Sequence, residues 1–293
     1  MNKSITIVTA FFDIGRGNWK KRNNSSEKFD RTNETYFSYF KKLAKLENNV
    51  IIFTSPDLKG KILSLRDGKP TQIITLDIHK KFKFILKKIS DIQNSSSFKG
   101  LIDPSLINNP EYWSSEYILV TNLKVFFVKK AIEMQRIDSE LVAWIDFGYI
   151  RNNKTLYGVS DWYHPFNKDK VHFFTIKDTL DLSNEQAVLH AVLNNDPHII
   201  GGVLVASIEK WPEFYKLVSK TQKDFIKSGI IDDDQGVFLT CASQNAHLFQ
   251  LNFLGRMKWF RTFRLFHKGS KINYLIRLGI LLRIIKYRNM VDL

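Results

Sequence analysis

Cysteine is nearly absent from this sequence: of 293 residues only Cys241 is one, which excludes an internal disulfide and any CxxC metal site. Flanked by Thr240 and Ala242, it reads as a core residue rather than a nucleophile, and a reducing compartment fits. Uninterrupted apolar stretches of about 18 residues are missing too, so no membrane-spanning helix is expected. The apolar run Ile5 to Phe12 follows Lys3, as a secretion signal would, but it has no small-x-small cleavage site. It reads as a first strand. Acids are scarce: 29 Asp and Glu stand against 44 Lys and Arg, a formal net charge of +15. That excess points to an anionic partner, whether nucleic acid, acidic membrane or phosphorylated ligand. Lys, Asn, Ile and Phe are all abundant, as a coding bias alone would make them, so the placement of the charge matters more than its sum.

What is present is organised around Ser139 to Arg151. Leu141 to Ile145 has the length and composition of a strand buried on both faces, and it ends in Asp146-Phe147-Gly148. A carboxylate at the carboxyl end of such a strand points into the crevice where open α/β sheets bind ligands. Gly148 permits a sharp turn or the close approach of a ligand. On this stretch alone, Asp146 capping an ordinary turn is the commoner explanation of the triplet. Asp-Phe-Gly also spells the kinase metal-binding triplet, but no GxGxxG loop, V-A-I-K strand or H-R-D loop precedes it, and the kinase reading fails.

Along the chain, Ile5 to Phe11 leads into a glycine-containing turn with Arg16 that lacks the dinucleotide fingerprint. Lys20 to Arg31 is a polar loop, mobile or ligand-covering. Tyr36 to Leu46 follows helical spacing, Val50 to Thr54 is a second strand and Thr71 to Ile78 a third. A basic amphipathic helix is expected from His79 to Ile92 and a long helix from Tyr117 to Met134. Beyond Asp146 the pattern becomes mixed. Val171 to Ile176 is a strand, and His198 to Ala206 is a strand interrupted by Gly201 and Gly202. Ile208 to Phe225 is a helix, and Asp232, Asp233 and Asp234 open another. This order predicts an α/β fold with a mixed, mostly parallel sheet flanked by helices.

Three features recur in order: an acid after a buried strand, a Gly-Gly strand and an acidic helix start. Singly, each has a local explanation: turn, bulge, and capping with the macrodipole. Together with Thr6-Ile7-Val8-Thr9-Ala10-Phe11-Phe12-Asp13-Ile14-Gly15-Arg16, Val120-Thr121-Asn122-Leu123-Lys124, Trp144 to Gly148 and Asp233-Asp234-Gln235, the chain resembles the HtrL/YibB (WlaTC-like) family of bacterial surface-polysaccharide loci.

The resemblance implies a GT-A-like, Rossmann-like glycosyltransferase acting on a nucleotide-sugar donor, with a UDP-sugar favoured, and a glycan or lipid-linked glycan acceptor. It implies a divalent cation, Mn²⁺ or Mg²⁺, held by Asp146. The second acid of the D-x-D motif is replaced by Gly148, and His267, within His267-Lys268-Gly269-Ser270-Lys271, is the candidate second metal ligand. Donor-binding candidates are Thr9, Arg16, Asn122, Lys124, Gly201, Gly202 and Lys271; Asp233 or Asp234 would orient or deprotonate the acceptor hydroxyl.

The tail concentrates the charge. From Arg256 to Arg288 there are ten Lys or Arg and no Asp or Glu. Residues 272–293 are expected as a basic amphipathic segment, helical from Ile272 to Tyr287, appended to a catalytic domain over 1–271. Such a helix suits an anionic membrane surface, and equally a core-packed helix with snorkelling arginines. The expected location is cytoplasmic, peripheral on the inner face of the membrane. Two rivals remain: a non-catalytic binding or scaffold protein of the same fold, and a nucleic-acid-binding protein. No nucleic-acid module is recognisable, and no nucleic acid is expected as partner.

Overall fold

β-Branched and aromatic runs build a central sheet whose inner strands are buried on both faces. A computed structural model describes residues 4–19, 29–282 and 284. Among the described residues the strands are β1 (Thr6–Phe11), β2 (Val50–Thr54), β3 (Thr71–Thr75), β4 (Leu141–Ile145), β5 (Val159–Asp161), β6 (Val171–Thr175), β7 (Val203–Ser207), β8 (Phe249–Phe253) and β9 (Lys271–Ile272). Seven of them form one sheet in the order β3-β2-β1-β4-β7-β6-β8, and β5 pairs with β9 apart from it. Pairings among β1, β2, β3 and β4 are parallel, as is β6 with β8, whereas β7 runs antiparallel to both neighbours. The mixed, mostly parallel α/β sheet is as the sequence predicts.

Helices of eight residues or more are α1 (Asn33–Leu43), α2 (Lys59–Arg66), α3 (Lys83–Asn94), α4 (Ser115–Asn122), α5 (Lys124–Glu133), α6 (Glu185–Leu193), α7 (Lys210–Lys227), α8 (Asp234–Gln244) and α9 (Tyr274–Leu281). Alternation along β1 and β4 divides the core. Val8, Val142 and Trp144 join Phe127, Trp211, Phe214 and Phe238 on one face. Ile7, Ala143 and Ile145 join Phe37, Phe40, Phe147 and Trp162 on the other. Cover on both faces explains why these strands read as continuous apolar runs.

Several boundaries differ from expectation. β3 stops at Thr75 because Asp77 caps a helical turn, its Oδ1 accepting from the Lys80 amide at 3.0 Å. The long helix expected over 117–134 is two helices meeting at Leu123. β7 begins after the paired glycines; before them, Ile199 forms only an isolated bridge to Thr175. β8 escaped the reading because only Phe249 and Asn252 of its five residues are buried, so no apolar run marks it. The expected domain boundary at 271/272 falls inside β9, which is tied to β5. Of the expected tail helix, residues 274–281 are helical; 283 and 285–293 lie outside the described residues, as do 20–28 of the polar loop.

Candidate active site

β1 and β4 are parallel neighbours, and the strand order reverses between them, the position at which open α/β sheets leave a crevice beyond their carboxyl ends. A cleft of about 380 Å³ opens there, lined by the turn after β1, the end of β4, the Gly-Gly turn and the start of α8. The β4–β7 pairing, with Ile145 opposite Val203, sets Asp146 beside the glycines, and the Asp146 amide donates to the Gly202 carbonyl at 2.9 Å.

Lys124 sits at the centre. Its Nζ lies 3.0 Å from Asp146 Oδ1 and 2.8 Å from Asp234 Oδ2, and donates to the Gly201 carbonyl at 2.9 Å. All three ammonium protons are therefore engaged. Burial alone would lower the Lys124 pKa, but the charges of Asp146 and Asp234 outweigh it, and the group is held well above its ordinary value. Trp144, two residues before Asp146 and so on the same strand face, donates its indole N–H to Asp146 Oδ1 at 2.7 Å. The glycines make room for these contacts. A Cβ on Gly201 would lie 1.5 Å from Asp234 Oδ2, and one on Gly202 would lie 2.9 Å from the Tyr149 ring.

One wall is acidic. Asp233 caps α8, its Oδ1 accepting from the Gln235 amide at 2.8 Å, while Oδ2 has only long contacts, 3.4 Å each, to the Tyr117 hydroxyl and the Gln235 side chain. Burial, reinforced by Glu111, pushes the Asp233 carboxyl up to about 6. Asp234 rises to about 7 because burial exceeds the opposing pull of Lys124. Asp232 is raised by burial and by the charge of Asp233. Glu111, 5% exposed, is raised by burial, and its Oε2 has no hydrogen-bond partner among the described residues. Arg16, Arg31 and Arg151 line the same cleft. The Arg16 guanidinium lies 4.6 Å from the Trp19 ring centroid and donates to the Tyr36 hydroxyl, and Arg151 lies 4.5 Å over Tyr39. Nε of Arg16 and both Nε and Nη1 of Arg151 are buried without a hydrogen-bond partner among the described residues.

Of the residues expected from the sequence, Arg16, Lys124, Asp146, Gly201, Gly202, Asp233 and Asp234 line this single cleft. Thr9 and Asn122 do not. Thr9 is buried within β1, and Asn122 braces the acidic loop by donating to the Asp232 carbonyl at 2.8 Å while accepting from Gln222. His267 and Lys271 stand elsewhere, which corrects their placement beside Asp146. His267 Nδ1 bonds the Phe263 carbonyl at 2.8 Å with its ring next to Tyr157, and Lys271 is exposed in β9 opposite Asp161. Glu111, Tyr117, Trp144, Tyr149 and Arg151 are cleft residues that the sequence reading gave no role. Only Trp144 and Arg151 carried a usable signal, through their spacing from Asp146.

Among the described residues, no group of three or more His, Cys, Asp or Glu side chains is arranged to hold a metal. Magnesium-type sites, however, use one or two carboxylates together with substrate phosphates. Asp146 meets that requirement: among the described residues its side-chain hydrogen bond and ion pair fall on Oδ1, its side chain is 39% exposed, and it lines the cleft. A cation would fit here as a companion of a phosphorylated ligand.

Comparison with known proteins places the chain among bacterial relatives. A family profile described as "Bacterial protein of unknown function (HtrL_YibB)" matches residues 3–268. Protein HtrL of Escherichia coli (strain K12) is 49% identical over 270 residues, 92% of this chain and 95% of that protein. Among solved structures, the apo form of mouse xyloside xylosyltransferase 1 aligns with a TM-score of 0.41 at 10% identity over 84% of each chain.

Proposed function

This chain belongs to the HtrL_YibB family of bacterial proteins, and on that premise we propose that it is a glycosyltransferase that moves a sugar from a nucleotide-sugar donor to a glycan acceptor. The observation that carries the reading is that one cleft at the β1/β4 switch point gathers both guanidinium groups and carboxyl groups. Arg16 and Arg151 line it with buried N–H groups that have no hydrogen-bond partner among the described residues, and Asp233, Asp234 and Glu111 line the same cleft.

A nucleoside diphosphate would lie against Arg16 and Arg151, with the sugar toward the carboxylates. As the bond from the anomeric carbon to the diphosphate oxygen breaks, its electron pair stays on that oxygen. The guanidinium groups, stacked on aromatic rings, then stabilise the new charge without reorganising. The acceptor hydroxyl forms the new bond to carbon and gives its proton to Asp233. Asp234 is less suited to that role because its Oδ2 is held by Lys124. A pKa of about 6 suits a base working near neutrality. Lys124 keeps Asp146 and Asp234 in register and spends its own charge on them. A divalent cation, Mn²⁺ or Mg²⁺, bound with the diphosphate would be held by Asp146 and would add positive charge at the leaving group. A UDP-sugar donor and a lipopolysaccharide or capsular acceptor at the cytosolic face are our inference from the resemblance to surface-polysaccharide loci.

Thermal unfolding with a panel of nucleoside diphosphates and nucleotide sugars, with and without Mn²⁺, tests this. A ligand at 100 times its Kd adds about 2.7 kcal/mol of stability. Stabilisation by one nucleoside diphosphate, enhanced by metal and lost in Asp146→Asn, is the expected result. Indifference to every nucleotide would overturn the reading and favour a scaffold role.

A further inference from the structure

Among the described residues, exposed large apolar side chains cluster on α9, outside the cleft. In this helix and the residues just after it, Leu275 is 82% exposed, Tyr274 75%, Ile284 72%, Leu282 58%, Leu281 57% and Leu278 51%. Scattered surface leucines are ordinary; six such side chains within eleven residues form a patch. Positions 274, 275, 278, 281 and 282 fall within roughly 120° of one another around a helix, and Ile280, the buried member, lies opposite. The helix therefore packs Ile280 inward and turns an apolar stripe to solvent.

The stripe is held out by the fold. Asn273 caps the helix, its side chain accepting from the Ile276 amide at 3.1 Å, and its own amide donates to the Gly158 carbonyl. The preceding β9 pairs with β5. Gly158, at φ +75°, lets the chains approach, since a Cβ there would lie 2.9 Å from the Asn273 carbonyl. Arg264 and Arg277 both lie over the Tyr157 ring, at 5.6 and 5.4 Å. The first turn is thus anchored to the body while the outer face is left bare.

We propose that this face seats the protein on an anionic lipid bilayer. Charge complementarity selects this occupant. From Arg256 to Ile284 the chain has no acid, and Lys268 and Lys271, just before the helix, are exposed. Leucines and a tyrosine flanked by cations are the composition of an interfacial helix, which inserts its apolar face at the headgroup boundary and draws on the negative surface potential. A second copy of the same face would bring these cations against each other in a two-fold interface. No helix among the described residues is long and apolar enough to cross a membrane, so the mode is seating on the surface.

Co-sedimentation of the full chain with vesicles tests this and needs no assumption about the cleft. The wild type should pellet with vesicles containing phosphatidylglycerol far more than with pure phosphatidylcholine, and added salt should release it. Leu275→Ser, Leu278→Ser and Leu281→Ser combined, all at exposed positions, should weaken binding at least about tenfold at an unchanged unfolding temperature. Lys268→Gln with Lys271→Gln should narrow the preference for anionic lipid by about tenfold or more. Failure to pellet with anionic vesicles, or full binding by the triple serine variant, would overturn the proposal. So would a dimer that the serine substitutions dissociate while vesicles bind neither form.

Discussion

Arg66 and Arg151 are both largely removed from solvent, and they teach opposite lessons. Every N–H of Arg66 is used: Nε donates to the Thr71 hydroxyl, Nη1 to the carbonyls of Ala44 and Leu46, and Nη2 to those of Asn48 and Pro70. It ties α2 to the strand entries around β2 and β3, and burial lowers its pKa to about 10. Arg151 is lowered too, by burial and then by the charge of Arg31, but two of its nitrogens have no partner among the described residues and it lines the cleft. A buried charge whose donors are all satisfied belongs to the fold. One that keeps idle donors at a cleft marks where a ligand completes the network. The acids follow the same division: Asp77 caps a turn in solvent, whereas Asp233 caps a helix with its second oxygen facing the cleft.

The largest effect that would sharpen this contrast is expected at Asp233. Asp233→Asn retains the cap, since Asn caps as well as Asp, but removes the base, and transfer should fall by about 10²–10⁴ in a donor-consumption assay. Stability should move the other way. The carboxyl is protonated in both states below about 4; between its unfolded value and about 6 only the unfolded chain ionises, so stability falls as pH rises. Above about 6 the loss is complete, and at pH 8 the variant should be more stable by on the order of 2 kcal/mol in urea unfolding. A less stable Asn variant would place Asp233 with the fold instead.

Next comes Arg66→Met, which strands four carbonyls and should cost about 3 kcal/mol or more in the same measurement. A loss below about 1 kcal/mol would break the claim that full satisfaction signals a structural role. The smallest effect is Arg151→Met. It should weaken nucleoside diphosphate binding about tenfold by calorimetry, about 1.4 kcal/mol, and leave unfolding unchanged or raised. Unaltered affinity would remove Arg151 from the donor wall.

Much of the site was legible because its parts carry local signatures. The apolar run ending at Asp146, the pair Gly201-Gly202 and the acids opening α8 are each visible in a short window. The roles of the glycines were not, because they depend on contacts across the chain. Gly201 is required by the carboxylate of Asp234, 33 positions later. His267 and Lys271 lie off the cleft lining for the converse reason: a short motif carries no information on its pairing, and Lys271 pairs with β5 while His267 bonds the Phe263 carbonyl.

By itself, the sequence determined the inner strands, their burial on both faces and the order of the acids, because runs and periods are local properties of the chain. Only the tertiary structure decided that Lys124 is shared between two acids, that Glu111 and Arg151 face one cleft, and that α9 turns its leucines outward. Those outcomes depend on which distant segments meet. Charge pairing and desolvation act through space, so spacing along the chain does not reveal them.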